Sequence, residues 1–203
     1  MVSKRSKSES KRQQILDASI ALFTEKGFAK TSMDLIAKNA DVSKQTVYSH
    51  FGNKDELFFA AIEFRCESMQ LFEISTLDFS DARAILIQIA RRFSQFVTSK
   101  EACAVHKICA FESNTYPQVS DIFYKAGPLK VTTELANLFS QLHDKKVLSI
   151  KNPWQAAIHF LNIMKGELWM QVEFNLKDKM SPQDAEQYLC DSVDFFIRGY
   201  SKV

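Results

Sequence analysis

The chain has 203 residues, of which 46% are hydrophobic and 25% charged, with a formal net charge of +2. That is apolar material for one domain or two small ones, and five Gly and four Pro, with no sustained period-two pattern, exclude a strand-rich fold in favour of an all-α one. No apolar run is long enough to cross a bilayer, no apolar leader opens the sequence, and four Cys without a CxxC pair read as reduced thiols of a cytoplasmic protein.

Residues 1–10, MVSKRSKSES, read as a flexible basic arm. Its Lys4, Arg5 and Lys7 suit phosphates or a minor groove as well as they suit plain solvent. A first helix follows over Lys11–Lys26, with Ile15, Ala18, Ile20, Leu22 and Phe23 on a broad inner face, and Gly27 ends it. Residues 31–55, TSMDLIAKNADVSKQTVYSHFGNKD, organise the rest of the chain. Ser32 caps a short helix that buries Leu35 and Ile36, and Ala37 and Ala40 are small enough for a close crossing. Asp41 breaks the pattern and Val42 plugs the turn. Ser43 caps a second short helix, Lys44–Phe51, in which Val47 and Phe51 lie four apart and face inward. Lys44, Gln45, Thr46, Tyr48 and Ser49 are left on its other faces. These are the types that read and grip DNA: an amide for adenine, a cation for guanine or phosphate, hydroxyls for phosphate. An apolar inner side with such an outer side is a helix-turn-helix. Charge agrees: Met1–Asp55 carries ten Lys and Arg against six Asp and Glu, and the remainder sixteen against eighteen, a basic head on a mildly acidic body.

The residues VSKQTVYSHFGNKDELF resemble the signature of the TetR family of bacterial transcriptional repressors, Val-Ser-basic-x-Thr-aliphatic-Tyr-x-His-Phe followed by Lys-acidic-x-Leu. Asp41 stands where that family usually has Gly; the position needs a left-handed backbone, which Asp tolerates. The resemblance implies a DNA-binding head over 11–55 and a helical effector-binding and dimerisation body over 56–203. It places Thr31 and Ser32 near a phosphate beside the free N–H groups of the second helix, with Ser43 in the same contacting set. Thr46, Tyr48, His50 and Lys54 would hold phosphates, and Lys44 and Gln45 would approach base edges. The implied partners are a palindromic double-stranded operator, a second copy of the chain and a small-molecule effector, without cofactor or membrane. The two reading helices would then lie roughly 34–36 Å apart or a multiple of that.

Asn53 opens a fourth helix that runs to about Phe72, the bridge between head and body in that family. Its Asp55 and Glu56 suit the positive helix end, whereas Lys54 there calls for an anion. Residues 74–80 read as a loop. Asp81–Thr98 is helical, with Ile85, Ile89, Phe93 and Phe96 on one stripe. Lys100–Ser113 is apolar through Ala104, Ile108 and Phe111. Tyr116-Pro117 interrupts, Gln118–Ala126 resumes, Gly127-Pro128 marks a second break, and Leu129–Leu142 continues. The stretches SNTYPQVSDIFYKAGP and LHDKKVLSIKNPWQAAIHF resemble, more loosely, the effector half of the multidrug-efflux-repressor branch. Pro153 starts a helix reaching about Phe174, where Gly166 admits a close backbone. Ser181-Pro182 with Asp184 starts the last one.

Seventeen Phe exceed what packing asks for, so some rings are candidates to line an effector cavity. Phe64, Met69, Phe93, Phe96, Phe111, Phe123, Met164 and Trp169 form that set, with Glu112, Asn162 and Glu167 as polar anchors, for an apolar or amphipathic molecule that rings and carboxylates together would also accept as a cation. The apolar surplus of the last two helices calls for a two-fold, four-helix interface through Trp154, Ile158, Leu161, Gly166, Tyr188, Val193, Phe196, Ile197 and Tyr200. Cys103, His106 and Cys109 are the nearest approach to a metal or redox set, but they spread too widely around a helix and lack a fourth ligand. There is no P-loop, GxSxG or HExxH. The competing classes are an enzyme or carrier with a vestigial helix-turn-helix, and an architectural DNA-binding protein with a filled body.

Overall fold

The structure, a computed structural model, describes residues 7–68, 70, 72, 79, 81–176 and 180–201. Among them every regular element is helical: α1 Lys7–Lys30, α2 Met33–Asn39, α3 Lys44–Phe51, α4 Lys54–Ser68, α5 Ala82–Val97, α6 Lys100–Glu112, α7 Pro117–Tyr124, a π-helical turn Lys125–Leu129, α8 Lys130–Asp144, α9 Pro153–Glu173 and α10 Pro182–Gly199. Their starts are set locally. The side chains of Ser32, Ser43, Asn53, Asp81, Asn152 and Ser181 each accept from the backbone N–H three residues on, at 2.9 to 3.2 Å. Each cap contributes about 0.5–2 kcal/mol.

Three boundaries differ from the sequence reading. Lys7–Ser10 are already helical, so the arm cannot include them; Met1–Ser6, with Lys4 and Arg5, lie outside the described residues. α4 stops at Ser68. Met69 and all of the expected 74–80 loop except Phe79 lie outside the described residues. Gly27 interrupts α1 with φ 82°, a left-handed conformation that glycine adopts at low cost.

The described residues fall into two compact units, and their division is not the linear one expected at 55/56. The first unit lies within Met1–Ser68 and Ala104–Pro128, the second within Met69–Cys103 and Leu129–Val203. The reason is apolar packing. In the first unit the rings of Phe23, Phe28 and Phe58 meet with centroids 4.8 to 5.8 Å apart. Around them are Leu57, Ala61 and Ile62 of α4, Cys109 of α6, Val119 of α7 and Ala126 of the π turn. In the second unit Phe139 of α8, Phe160 of α9 and Phe196 of α10 form a like trio at 5.2 to 5.9 Å. Ile85, Ile89 and Phe93 of α5 pack into the same core.

That second core corrects part of the expected dimer face. Val193, Phe196 and Leu161 are buried within their own unit, since the apolar surplus of α10 is met by Phe139 and Phe160. Gly166 is also reassigned. It breaks α9 with φ 54°, and a ring fills the space beside it. A Cβ there would lie 2.5 Å from Tyr188 Cε1, and the Tyr188 hydroxyl donates to the Ile163 carbonyl at 2.7 Å. Tyr188 is thus half-buried inside the unit, as is Ile197, and Tyr200 pairs its hydroxyl with His159 Nδ1 at 3.0 Å. Trp154 and Ile158 of α9 remain exposed, as does Phe195 of α10 at 62%, a residue the sequence reading passed over.

Candidate nucleic-acid interface

The reading head is built around two buried anchors. Val47 and Phe51 sit in the core of the first unit with Ile36 and Ala37 of α2. Asp41 takes the left-handed turn conformation with φ 50°. The Val42 N–H then donates to the Ala37 carbonyl at 3.1 Å, closing α2 onto α3. With Val47 and Phe51 held inward, the helical repeat sends Lys44, Gln45, Tyr48 and Ser49 outward, and all four are exposed. Ser43 holds the start of α3 twice: its Oγ accepts from Thr46 N–H at 3.1 Å and lies 2.8 Å from Thr46 Oγ1. Ser32 is committed in the same way at α2, and His50 is half-buried with its ring 6.0 Å from that of Phe51. The surface that results is a row of one cation, one amide, one phenol and hydroxyls on a short, rigidly seated helix.

Two expected phosphate ligands are not on that surface. Thr31 is only 1% exposed, and its hydroxyl donates to the Gly27 carbonyl at 2.8 Å. It closes the end of α1, because the carbonyls beside a break in a helix need donors. Lys54 also turns inward. Its Nζ donates to the Phe28 carbonyl at 2.9 Å and lies 4.1 Å from the Phe28 ring centre. Burial pushes this ammonium's pKa below the ordinary lysine value. The opposite pole of the same peptide is held too, since the Ala29 N–H donates to Glu112 Oε2 at 3.1 Å. A cation and an anion therefore clamp one peptide unit of the α1–α2 link. The anion that Lys54 seemed to call for is partly this carbonyl, with the Glu112 carboxylate nearby. Sequence reasoning missed the clamp because its partners stand 26 and 83 residues apart.

The expected effector residues are divided between the units. Phe93 and Met164 are core, and Phe111 is 87% exposed. Phe111 and Glu112 line an open groove against the end of α1 rather than an enclosed cavity. Asn162 and Glu167 are exposed and bonded along their own helix. Phe64 and Phe123 in the first unit and Phe96 and Trp169 in the second are half-buried. The Trp169 face already carries a cation, Lys165 Nζ, at 5.0 Å.

Among the described residues no three His, Cys, Asp or Glu side chains group as a metal site requires. The Cys103 thiol donates to the Val97 carbonyl at 3.3 Å, and burial, aided by Glu112, pushes the Cys109 thiol up to about 12. A thiol so raised stays protonated and unreactive at neutral pH. Alkylation of the native protein, read by mass spectrometry, is therefore expected to leave Cys103 and Cys109 unmodified until denaturant is added. Rapid native labelling of Cys109 would contradict its placement.

Comparison with known proteins matches the same two parts. Residues 15–61 match the family of bacterial regulatory proteins of tetR type, and residues 84–202 match the AefR-like transcriptional repressor C-terminal domain. The HTH-type transcriptional regulator YerO of Bacillus subtilis is 25% identical over 200 residues, covering 95% of this chain and 66% of that protein. The chain thus spans just under two thirds of that regulator's length. A TetR-family transcriptional regulator from Mesorhizobium loti superposes with a TM-score of 0.81 at 26% identity, covering 98% of this chain and all of its own. The flavonoid-responsive regulator FrrA superposes with a TM-score of 0.76 at 31% identity, covering 94% and 97%.

Proposed function

Because this chain belongs to the TetR family of bacterial regulatory proteins, we propose that it is a DNA-binding transcriptional repressor. It would bind a palindromic operator as a homodimer and leave it when a small apolar or amphipathic effector binds the body. The observation that carries the reading is α3: Val47 and Phe51 are buried while Lys44, Gln45 and Tyr48 face solvent together. An isolated surface helix gains nothing from such a set, whereas a helix laid in a major groove uses each member. Lys44 and Gln45 are assigned to base edges, and Ser43, Thr46, Tyr48 and His50 to the phosphates beside them. Two reading helices, one from each subunit, would meet successive turns of one face of the duplex.

For release, the effector prefers a dimer that does not fit the operator and drains the population that does. The half-buried rings Phe96 and Trp169, both in the second unit, are the proposed contacts. An uncharged aromatic effector is favoured, since Lys165 already occupies the Trp169 face. The flavonoid response of FrrA, 31% identical to this chain, agrees with a ligand of that kind. No helix of the described residues is long and apolar enough to cross a membrane, and nothing in the proposal requires one.

Selection of bound duplexes from a random pool, followed by gel retardation, tests the assignment. Tyr48→Phe is expected to weaken all sequences alike, by about three- to tenfold for one lost phosphate bond. Gln45→Ala is expected to change which sequences are selected, at a cost of about 1–3 kcal/mol on the preferred site. Equal loss on every sequence for Gln45→Ala would remove it from base reading.

A further inference from the structure

We propose that Arg12 is a further DNA-backbone contact of the reading head, a phosphate anchor set against the end of the reading helix. The inference rests on the DNA-binding reading above. Arg12 lies near the start of α1, ahead of residues 15–61 that match the family, so the resemblance assigns it no role. Its guanidinium carbon lies over the Phe51 ring, 5.3 Å from the ring centre. Phe51 is the last residue of α3 and is only 5% exposed. The His50 ring, already assigned to a phosphate, meets the same Phe51 ring at 6.0 Å. A cation from α1 is thus seated at the C-terminal end of the helix that carries Lys44, Gln45 and Tyr48.

What singles Arg12 out is the state of its charge. Lys44 and Lys54, the two cations expected to meet DNA, are both engaged. Lys44 Nζ lies 2.7 Å from Asp34 Oδ1, and Lys54 is turned in to the Phe28 carbonyl. Either must break a contact before it can meet a phosphate, whereas Arg12 need not. Its side chain is exposed, and among the described residues its guanidinium has no ion pair and no side-chain hydrogen bond. Residues 1–6, MVSKRS, hold no carboxylate side chain either. The face of an aromatic ring attracts a cation through its quadrupole and takes up little of its hydrogen-bonding capacity. The planar fork of N–H donors stays available, and it matches two oxygens of one phosphate. The ring also limits where the side chain can go, so less freedom is lost when a phosphate binds. A guanidinium in that state releases counter-ions from the duplex and adds to binding on every sequence alike. The fold does not depend on it, because a cation–π contact at an exposed site is weak and Phe51 already sits in the core with Val47 and Ile36.

The test is gel retardation of a duplex selected by the wild-type protein and of a mixed-sequence duplex of equal length, across a salt series, with wild type, Arg12→Gln and Arg12→Lys. Arg12→Gln is expected to fold as the wild type does by circular dichroism and to weaken both duplexes about tenfold, with a salt slope shallower by about 1 for each subunit bound. Arg12→Lys is expected to restore the slope and only part of the affinity, since an ammonium keeps the charge and loses the planar fork. A purely structural Arg12 would give a lower melting midpoint with an unchanged slope, and that result would overturn the proposal. So would a loss confined to the selected duplex, which would make Arg12 a base reader, or full affinity in Arg12→Gln. A wild-type protein that retards neither duplex at low salt would instead overturn the DNA-binding reading on which it rests.

Discussion

Ile158→Asp combined with Phe195→Asp is expected to give a monomer of unchanged helix content whose affinity for a selected duplex falls about 100-fold or more. Ile158, with Trp154 one turn before it, and Phe195 are large apolar side chains left in solvent on α9 and α10, two helices that pack on each other in the second unit. A carboxylate costs the free subunit little at Phe195, 62% exposed, and somewhat more at Ile158, 39% exposed. Set into the proposed two-fold interface, each carboxylate would be desolvated against the partner's apolar side chains, at a cost on the order of several kcal/mol. Losing the proposed dimer would leave each reading helix to bind its half-site alone. Sedimentation measures the assembly and gel retardation the affinity. A variant that remains dimeric would move the interface elsewhere on the body.

Phe58→Ala is expected to lower the unfolding free energy by about 3–5 kcal/mol and to abolish operator binding at ordinary temperatures. Phe58 is 1% exposed and touches both Phe23 and Phe28. Its loss would open a cavity where α1, α4 and the α1–α2 link converge. Urea denaturation followed by circular dichroism reports the change. Phe111→Ala, at a ring in open solvent, is the control and should stay within about 0.5 kcal/mol. A Phe58 variant as stable as that control would show the aromatic trio not to be the centre of the head.

What the sequence made legible follows distance along the chain. The caps at Ser32, Ser43 and Ser181 and the inward pair Val47 and Phe51 were all readable, because each depends on partners within four residues. The left-handed Asp41 followed from the family resemblance, since it stands where that family usually has Gly. The solvent face of α3 followed from those anchors. Thr31 was misplaced because a hydroxyl beside a helix start suits a phosphate and a neighbouring carbonyl equally, and only the fold decides between them. Lys54 was misplaced because its acceptor belongs to another helix connection. In α6 the apolar residues Ala104, Ile108 and Phe111 pointed to one stripe, while the buried positions are Cys103 and Cys109. Two small thiols took the place that ring size had suggested for Phe111. The apolar surplus on α10 was legible, but part of it lies inside the unit's own core, where Val193 and Phe196 join Phe139 and Phe160.

The first unit has a consequence for how the protein is made. Its core includes Cys109, Val119 and Ala126, and its clamped peptide waits for Glu112. All of these follow the reading helices in translation order. At about 5–20 residues per second, several seconds separate the emergence of α3 from that of its last supporting side chains. A nascent chain therefore carries its reading helix before it carries the means to hold it still. By the same reasoning, a gene fragment cut after α4 would not yield a portable DNA-binding module, and a fusion that borrows the head must borrow residues 104–128 with it.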